Sequence, residues 1–220
     1  GNERAEGPEA RRLLTRWLAG LHTSAAPLAD SLPLPERGAD HHRERLRAAH
    51  QPLREHLGNP ALSPADRWVL CRLADDLARL DARWSEVEAL FAQMPRTLVH
   101  GDLVPANLHL RAGAGGDELL VLDWETAGLG PPALDLVEVD PALYATLVAS
   151  SWPGVTPEAV ARWQRCGRLL RSVVATSWES SDLAFPWVEK PMVRLRVYRR
   201  VLEEAMSALD ADPIAPGSCR

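Results

Sequence analysis

The sequence predicts an α+β fold that is mainly helical. Three observations carry that expectation: stretches with apolar residues at helical spacing at both ends of the chain, a short central region of β-like apolar bursts broken by glycine, and no internal repeat. The 220 residues, 46% of them hydrophobic, suffice for one large domain or two small ones. We expect a single lobe over residues 1–211 and a flexible tail over 212–220.

The first element follows Gly7-Pro8, where Leu14, Trp17, Leu18 and Leu21 recur at i, i+3, i+4 and i+7 and predict an amphipathic helix from near Glu9. The proline-containing segment 30–38 separates it from a polar, weakly patterned helix over 40–57, which Pro52 should kink or divide. Ser63-Pro64-Ala65-Asp66 then supplies an N-cap, a first-turn proline and a capping-box carboxylate. From there Leu73, Leu77, Leu80, Trp84, Val87 and Phe91 line one helical face up to the stop at Met94-Pro95.

Beyond that stop the pattern changes to strands a few residues long at 97–99, 108–110 and 119–122. The glycine-rich connection 112–116 has hairpin length, so the second and third strands should pair antiparallel. Helix returns over 134–149, interrupted by Pro141, and again from Thr156-Pro157-Glu158, with Val160, Trp163, Gly167, Leu170 and Val174 on one side. A last helix shows Val188, Met192, Leu195, Leu202, Met206 and Leu209.

Composition narrows the function classes. A net charge of −5 without a basic block argues against nucleic acid, and no apolar run reaches the ~18 residues of a membrane helix, so a cytoplasmic location without membrane attachment is expected. Cys71, Cys166 and Cys219 are far apart and read as buried or idle thiols rather than disulfide partners or zinc ligands. Most of the 8 tryptophans sit in periodic segments and are expected in the core. His22, His41, His42, His50, His56 and His109 have no partners at ligand spacing and are expected to be solvated or locally bonded.

The chemistry concentrates in His100-Gly101-Asp102-Leu103-Val104-Pro105-Ala106-Asn107, then Val121-Leu122-Asp123-Trp124-Glu125, then Gly130-Pro131-Pro132-Ala133-Leu134-Asp135-Leu136. Asp102 and Asn107 are separated as in the protein-kinase catalytic loop, and Asp123 follows at the end of the next strand. Phosphoryl transfer needs a carboxylate beside the attacking hydroxyl and hard oxygen ligands for Mg²⁺. In this reading Asp102 accepts the hydroxyl proton, while Asn107 and Asp123 hold the Mg²⁺ that accompanies the nucleotide phosphates.

These residues resemble the aminoglycoside phosphotransferase and choline kinase-like family, whose pattern is HGDxxxxN, an apolar run into an aspartate, and a GxxxPxxDL-like segment. The resemblance implies the C-terminal lobe of a protein-kinase-like fold with a small β-hairpin carrying the catalytic loop. It also implies ATP or another nucleoside triphosphate, Mg²⁺, and a small hydroxyl-bearing substrate. His100 and Asp135 become structural posts of the loop, and Glu125 faces a cationic substrate or caps the next turn. Pro131 stands where the family often has an acidic residue. Glu179, Asp182 and Glu189 could meet an ammonium group or be solvated helix ends.

No glycine-rich loop or strand lysine precedes Asp102, and Lys190 is the only lysine, so the family's N-terminal ATP lobe is expected to be missing from this chain. Two readings follow: a phosphotransferase whose catalytic lobe this is, or a non-catalytic kinase-like module that binds a protein partner where the other lobe would sit.

Overall fold

The structure is a computed structural model that describes residues 3–4, 7–113 and 116–211. The expected tail, 212–220, lies outside them. Two compact units account for the internal packing, Gly1–Arg37 with Met94–Gly167 and Gly38–Gln93 with Arg168–Arg220.

The first unit opens with strand β1 (Glu3–Arg4) and helix α1 (Gly7–Ala25). The buried stripe of α1 is Ala10, Leu14, Leu18, His22 and Ala25, flanked by Thr15 and Ala19, so Trp17 and Leu21 lie at its half-buried edge. Strands β2 (Thr97–Val99), β3 (Leu108–Gly113), β4 (Gly116–Val121) and β5 (Gly128–Gly130) follow. The expected hairpin is β3 with β4, antiparallel from Leu108 opposite Val121 to Gly113 opposite Gly116. Two partners carry too little pattern to read in sequence. β1 extends the hairpin to a three-stranded sheet, with Glu3 opposite Leu110, and β5 pairs antiparallel with β2, with Leu98 opposite Leu129.

β5 is glycine-bounded for a steric reason. A Cβ on Gly128 would lie 2.3 Å from the Pro35 carbonyl oxygen and one on Gly130 2.9 Å from that of Arg37. The 35–37 segment runs alongside, with the Leu129 N–H donating to Pro35 O at 2.8 Å and the Arg37 N–H to Leu129 O at 2.7 Å.

The helix expected over 134–149 does not form as one piece. Residues Pro132–Leu134 and Leu136–Glu138 are single 3-10 turns, and α5 covers only Pro141–Val148. Pro141 starts this helix rather than interrupting it, because its missing N–H costs nothing in the first turn, and the Asp140 carboxylate caps the N–H groups of Ala142 and Leu143 at 2.9 and 3.0 Å. The first 11 residues of α6 (Pro157–Ser181) complete the unit. Gly167 lets α6 come close to the preceding turn: a Cβ there would sit 2.0 Å from Ala133 O.

The second unit contains α2 (Ala39–Glu55), α3 (Pro64–Ala82), α4 (Trp84–Phe91), the rest of α6 and α7 (Glu189–Ala211). Pro52 does not divide α2. It falls in the last turn, where the helix ends three residues later with the His56 N–H on the Arg54 and Pro52 carbonyls. The long helix expected from Ser63 to Phe91 is instead two, broken at Arg83. That residue leaves helical geometry (φ −106°, ψ 16°), bonds back to Leu80 and Asp81 carbonyls, and forks its guanidinium onto Glu86 at 2.7 and 2.9 Å. The apolar face survives the break, with Leu73, Leu77, Leu80, Trp84 and Val87 all buried. At its start the capping box is complete: Ser63 Oγ accepts the Asp66 N–H, and Asp66 accepts the Ser63 N–H at 3.0 Å.

The tryptophans are less buried than their spacing suggests. Only Trp84 and Trp163 are core residues, whereas Trp68, Trp124, Trp178 and Trp187 are exposed. Three of these exposed rings have polar or aromatic partners that the alternation of apolar residues cannot reveal: the Arg199 guanidinium lies 5.0 Å from Trp68, Phe185 stacks on Trp187, and His100 packs on Trp124. Glu179 is no solvated helix end. It is buried and ion-paired with Arg194.

Candidate active site

The loop from β2 to β3 is built on unusual backbone. Gly101 has φ 82°, a left-handed conformation that glycine adopts at no cost, and a Cβ there would also meet the Thr126 carbonyl oxygen at 3.1 Å. Asp123 has φ 63°, the one described non-glycine residue with positive φ. Aspartate tolerates this region better than most residues, because its short side chain bonds locally.

Hydrogen bonds tie the two bends together. His100 is fully buried, accepts the Asp102 N–H on Nδ1 at 3.2 Å, and reaches Leu122 O with Nε2 at 2.9 Å. A carbonyl only accepts, so Nε2 carries a proton and donates. His100 thereby joins the backbone of Asp102 to that of Leu122, the residue before Asp123. The Leu122 N–H donates to Asn107 O at 2.9 Å, and Thr126 Oγ1 donates to His100 O at 2.8 Å.

Asn107 Nδ2 donates to the Asp102 backbone carbonyl at 3.0 Å and stands 3.5 Å from its Oδ2. With the amide nitrogen engaged by the loop, Asn107 Oδ1 is the atom left to accept or ligate. Glu125 is exposed, as are Asp123 and Trp124. Trp124 holds its ring between His100, at 4.8 Å, and Trp17 of α1, at 5.9 Å, with Nε1 donating to Val121 O.

Below the loop lies Asp135, a buried carboxylate at the junction of the two 3-10 turns. Its Oδ2 accepts the His100 N–H and its Oδ1 the Gly101 N–H, each at 2.8 Å. A carboxylate holding two consecutive amides fixes the direction in which the chain enters Asp102.

Two buried histidines escape the sequence reading, one in this network and one, His42, in the second unit. His22, expected to be solvated or locally bonded, is fully buried, 2.7 Å from Tyr144 Oη and 3.3 Å from Asp135 Oδ2. The available signal was its place four residues after Leu18 and eight after Leu14, which continues their buried stripe. His42 is likewise buried, in edge contact with the rings of His41 and Phe91.

The oxygen donors at the loop fit a nucleotide-borne Mg²⁺. Among the described residues no three His, Cys, Asp or Glu side chains gather as a metal cage. Mg²⁺ that arrives with phosphates keeps several waters and takes only one or two protein oxygens, which the Asp123 carboxylate and Asn107 Oδ1 can supply. A separate cleft of about 220 Å³ touches the loop at Pro105 and Leu108 and is otherwise lined by Gly7, Ala10, Arg11, Leu14 and Glu138. None of Asp102, Asn107 and Asp123 lines it, so it neighbours the candidate site without being part of it.

A mainly helical fold whose β-hairpin follows an HGDxxxxN loop and leads to a strand-end aspartate is kinase-like. The chain belongs to the phosphotransferase enzyme family, whose model matches residues 2–165. Solved structures with the same fold include the aminoglycoside phosphotransferase of Alicyclobacillus acidocaldarius, 14% identical with a TM-score of 0.58 over 96% of this chain and 69% of that one. The ethanolamine kinase of Plasmodium vivax is 16% identical, TM-score 0.55, over 90% and 62%. The choline kinase of Streptococcus pneumoniae is 15% identical, TM-score 0.52, over 93% and 68%. The chain thus spans less than two thirds of the ethanolamine kinase and little more than that of the other two. No curated protein sequence matches it. No described helix is long and apolar enough to cross a membrane.

Proposed function

We propose that this chain is the catalytic and substrate-binding part of an ATP-dependent phosphotransferase that moves the γ-phosphoryl group onto a hydroxyl of a small amine-bearing molecule, aminoglycoside-like or choline-like. The observation that carries the reading is the pair of bends bridged by His100, which brings the segment of Asp102 and Asn107 against that of Asp123. Membership of the phosphotransferase family supports the reaction class, and the amine or aminoglycoside named for each structural relative supports the class of acceptor.

In this mechanism the Asp102 carboxylate takes the proton of the acceptor hydroxyl as that oxygen bonds to the γ-phosphorus and the bond to the nucleotide's bridging oxygen breaks. Asn107 Oδ1 and Asp123 would hold Mg²⁺, which neutralises charge on the phosphates when bound. Glu125 is exposed two residues beyond Asp123 and would attract the ammonium group of the acceptor. Asp135 and His100, both buried, would keep the loop in shape from beneath.

The test is calorimetric titration with ATP with and without Mg²⁺, followed by phosphorylation assays on hydroxyl-bearing amines, using the chain alone and joined to an N-terminal nucleotide lobe of the family. Asp102→Ala should lower turnover by roughly two to four orders of magnitude with an unchanged melting temperature. Asp123→Asn, which tolerates the left-handed backbone, should keep the fold and lose the Mg²⁺ dependence of nucleotide binding. Near-normal turnover in Asp102→Ala would sink the assignment. Absence of Mg²⁺-dependent binding in both forms would leave a non-catalytic module.

A further inference from the structure

The Asp135 carboxylate meets more than the catalytic loop. Its Oδ2 accepts the His100 N–H at 2.8 Å and also faces His22 Nε2 at 3.3 Å. An ionised carboxylate can only accept, so Nε2 is the donor. In the neutral ring, Nδ1 is then an acceptor, and the group it faces at 2.7 Å is the Tyr144 hydroxyl. Hydrogen bonds thus run in one direction, from the hydroxyl of α5 through the imidazole of α1 to the carboxylate, and the carboxylate in turn holds the amides of His100 and Gly101.

Burial makes this chain selective. His22 and Tyr144 are both fully buried, with ring centroids 5.9 Å apart at 70°. Burial, joined by the charge on Asp135, pushes the Tyr144 hydroxyl well above its usual range, which keeps it a neutral donor. The main chain of His22 is held as firmly: Thr97 Oγ1 donates to His22 O at 2.7 Å, and Thr97 begins the strand that delivers His100. α5 is tied to α1 a second time, by the Asp140 N–H on Thr15 Oγ1 at 3.1 Å.

We propose that His22 and Tyr144 are positioning residues for the phosphotransfer loop, acting on Asp102 through the Asp135 carboxylate. This deepens the functional reading above and rests on it for the activity readout, whereas the coupling itself can be read without any activity. His22 orients the carboxylate by donating to it, and Tyr144 sets the ring so that Nε2 carries the proton that faces it. With the imidazole removed, Asp135 keeps its two amide donors but loses the side-chain donor that buttresses Oδ2 from α1, and the loop it holds can shift.

The experiment is NMR on the full-length ¹⁵N-labelled chain, with His22→Gln, His22→Leu and Tyr144→Phe compared with the wild type, together with kcat and KM in whichever form transfers phosphate. In the wild type, His22 Nε2 should be protonated, and the His100 and Gly101 amide protons should lie downfield and exchange slowly. His22→Leu should move both amides upfield and speed their exchange, and Tyr144→Phe should do the same to a smaller degree. Gln carries its terminal amide about as far from the backbone as Nε2, so His22→Gln should restore both amides.

On activity, His22→Leu should lower kcat about tenfold or more with KM little changed, with recovery in His22→Gln. Loop amides that stay at wild-type positions in a folded His22→Leu or Tyr144→Phe chain would overturn the proposal, as would a His22 ring whose Nε2 lacks a proton. If His22→Leu fails to fold, the nitrogen shifts of the wild type and the amides of Tyr144→Phe decide. A wild type that transfers no phosphate to any acceptor counts against the functional reading alone, because the amide and imidazole measurements still decide the coupling.

Discussion

Asp66 shows how one carboxylate can serve two structures at once. It closes the capping box with Ser63 and also pairs with Arg196 of α7. Its burial alone would raise its pKa, but the hydrogen bonds from Ser63 and the Arg196 charge outweigh that and hold it below its ordinary value of 3.8. A carboxyl with a depressed folded pKa contributes stability that is present above the unfolded value and is lost as pH falls through the folded one. Ser63→Ala should therefore cost about 1 kcal/mol near neutrality. The cost should shrink below about pH 4 as Asp66 protonates. Urea unfolding of both proteins at pH 7 and pH 3 checks it, and an unchanged difference at the two pH values would contradict the assignment. The capping box was legible in Ser63-Pro64-Ala65-Asp66, because every participant is local. The Arg196 partner was not, because 130 residues separate the pair.

At the scale of elements, the same distinction between local and distant partners decides what could be read. Helix starts were legible at Pro64 and Pro157, where a cap and a proline adjoin, but not at Pro141, whose Asp140 cap sits inside an apolar run that reads as helix already under way. The break at Arg83 was not, because the apolar face continues through it in phase and only the bond geometry interrupts the helix. The 3-10 turn Leu136–Glu138 reads as helix because Leu134, Leu136 and Val137 continue the apolar pattern of the segment that follows. The turns around Asp135 are instead shaped by outside partners: Gln164 Nε2 donates to the carbonyls of Leu136 and Val139 at 2.8 and 2.9 Å, and α6 presses on Ala133 through Gly167. Gly167 is thus the contact that lets a long helix support the turn leading into Asp135. Gly167→Ala should destabilise the chain by about 1–3 kcal/mol, because the added methyl overlaps a backbone oxygen rather than a side chain that can swing away. Denaturant unfolding measures this directly, and a variant as stable as wild type would show that α6 can shift at no cost.

For the whole molecule, the linear order of the HGDxxxxN loop, the strand-end aspartate and the PxxDL segment made the loop and its hairpin legible from the chain alone. The strands Glu3–Arg4 and Gly128–Gly130 and the His22–Asp135 contact were not, because each is defined by a partner far away in sequence. Burial separates the two described thiols. Cys71 is exposed, whereas burial pushes the Cys166 thiol up to about 12, far from the range in which a thiolate forms. A thiol reagent at pH 8 should label Cys71 of the native chain at least tenfold faster than Cys166, and unfolding should equalise the two. Peptide mapping by mass spectrometry reads the difference, and rapid native labelling of Cys166 would mean that α6 opens in solution. Neither compact unit is continuous in sequence, since 38–93 falls between the two pieces of the first and 94–167 between those of the second. During synthesis on the ribosome, His22 therefore emerges 113 residues before the aspartate that completes its surroundings. Neither unit can close as its first segment appears, so the chain exposes core surface through much of its translation. Its yield in the cell should depend on chaperone supply more than its folded stability would suggest.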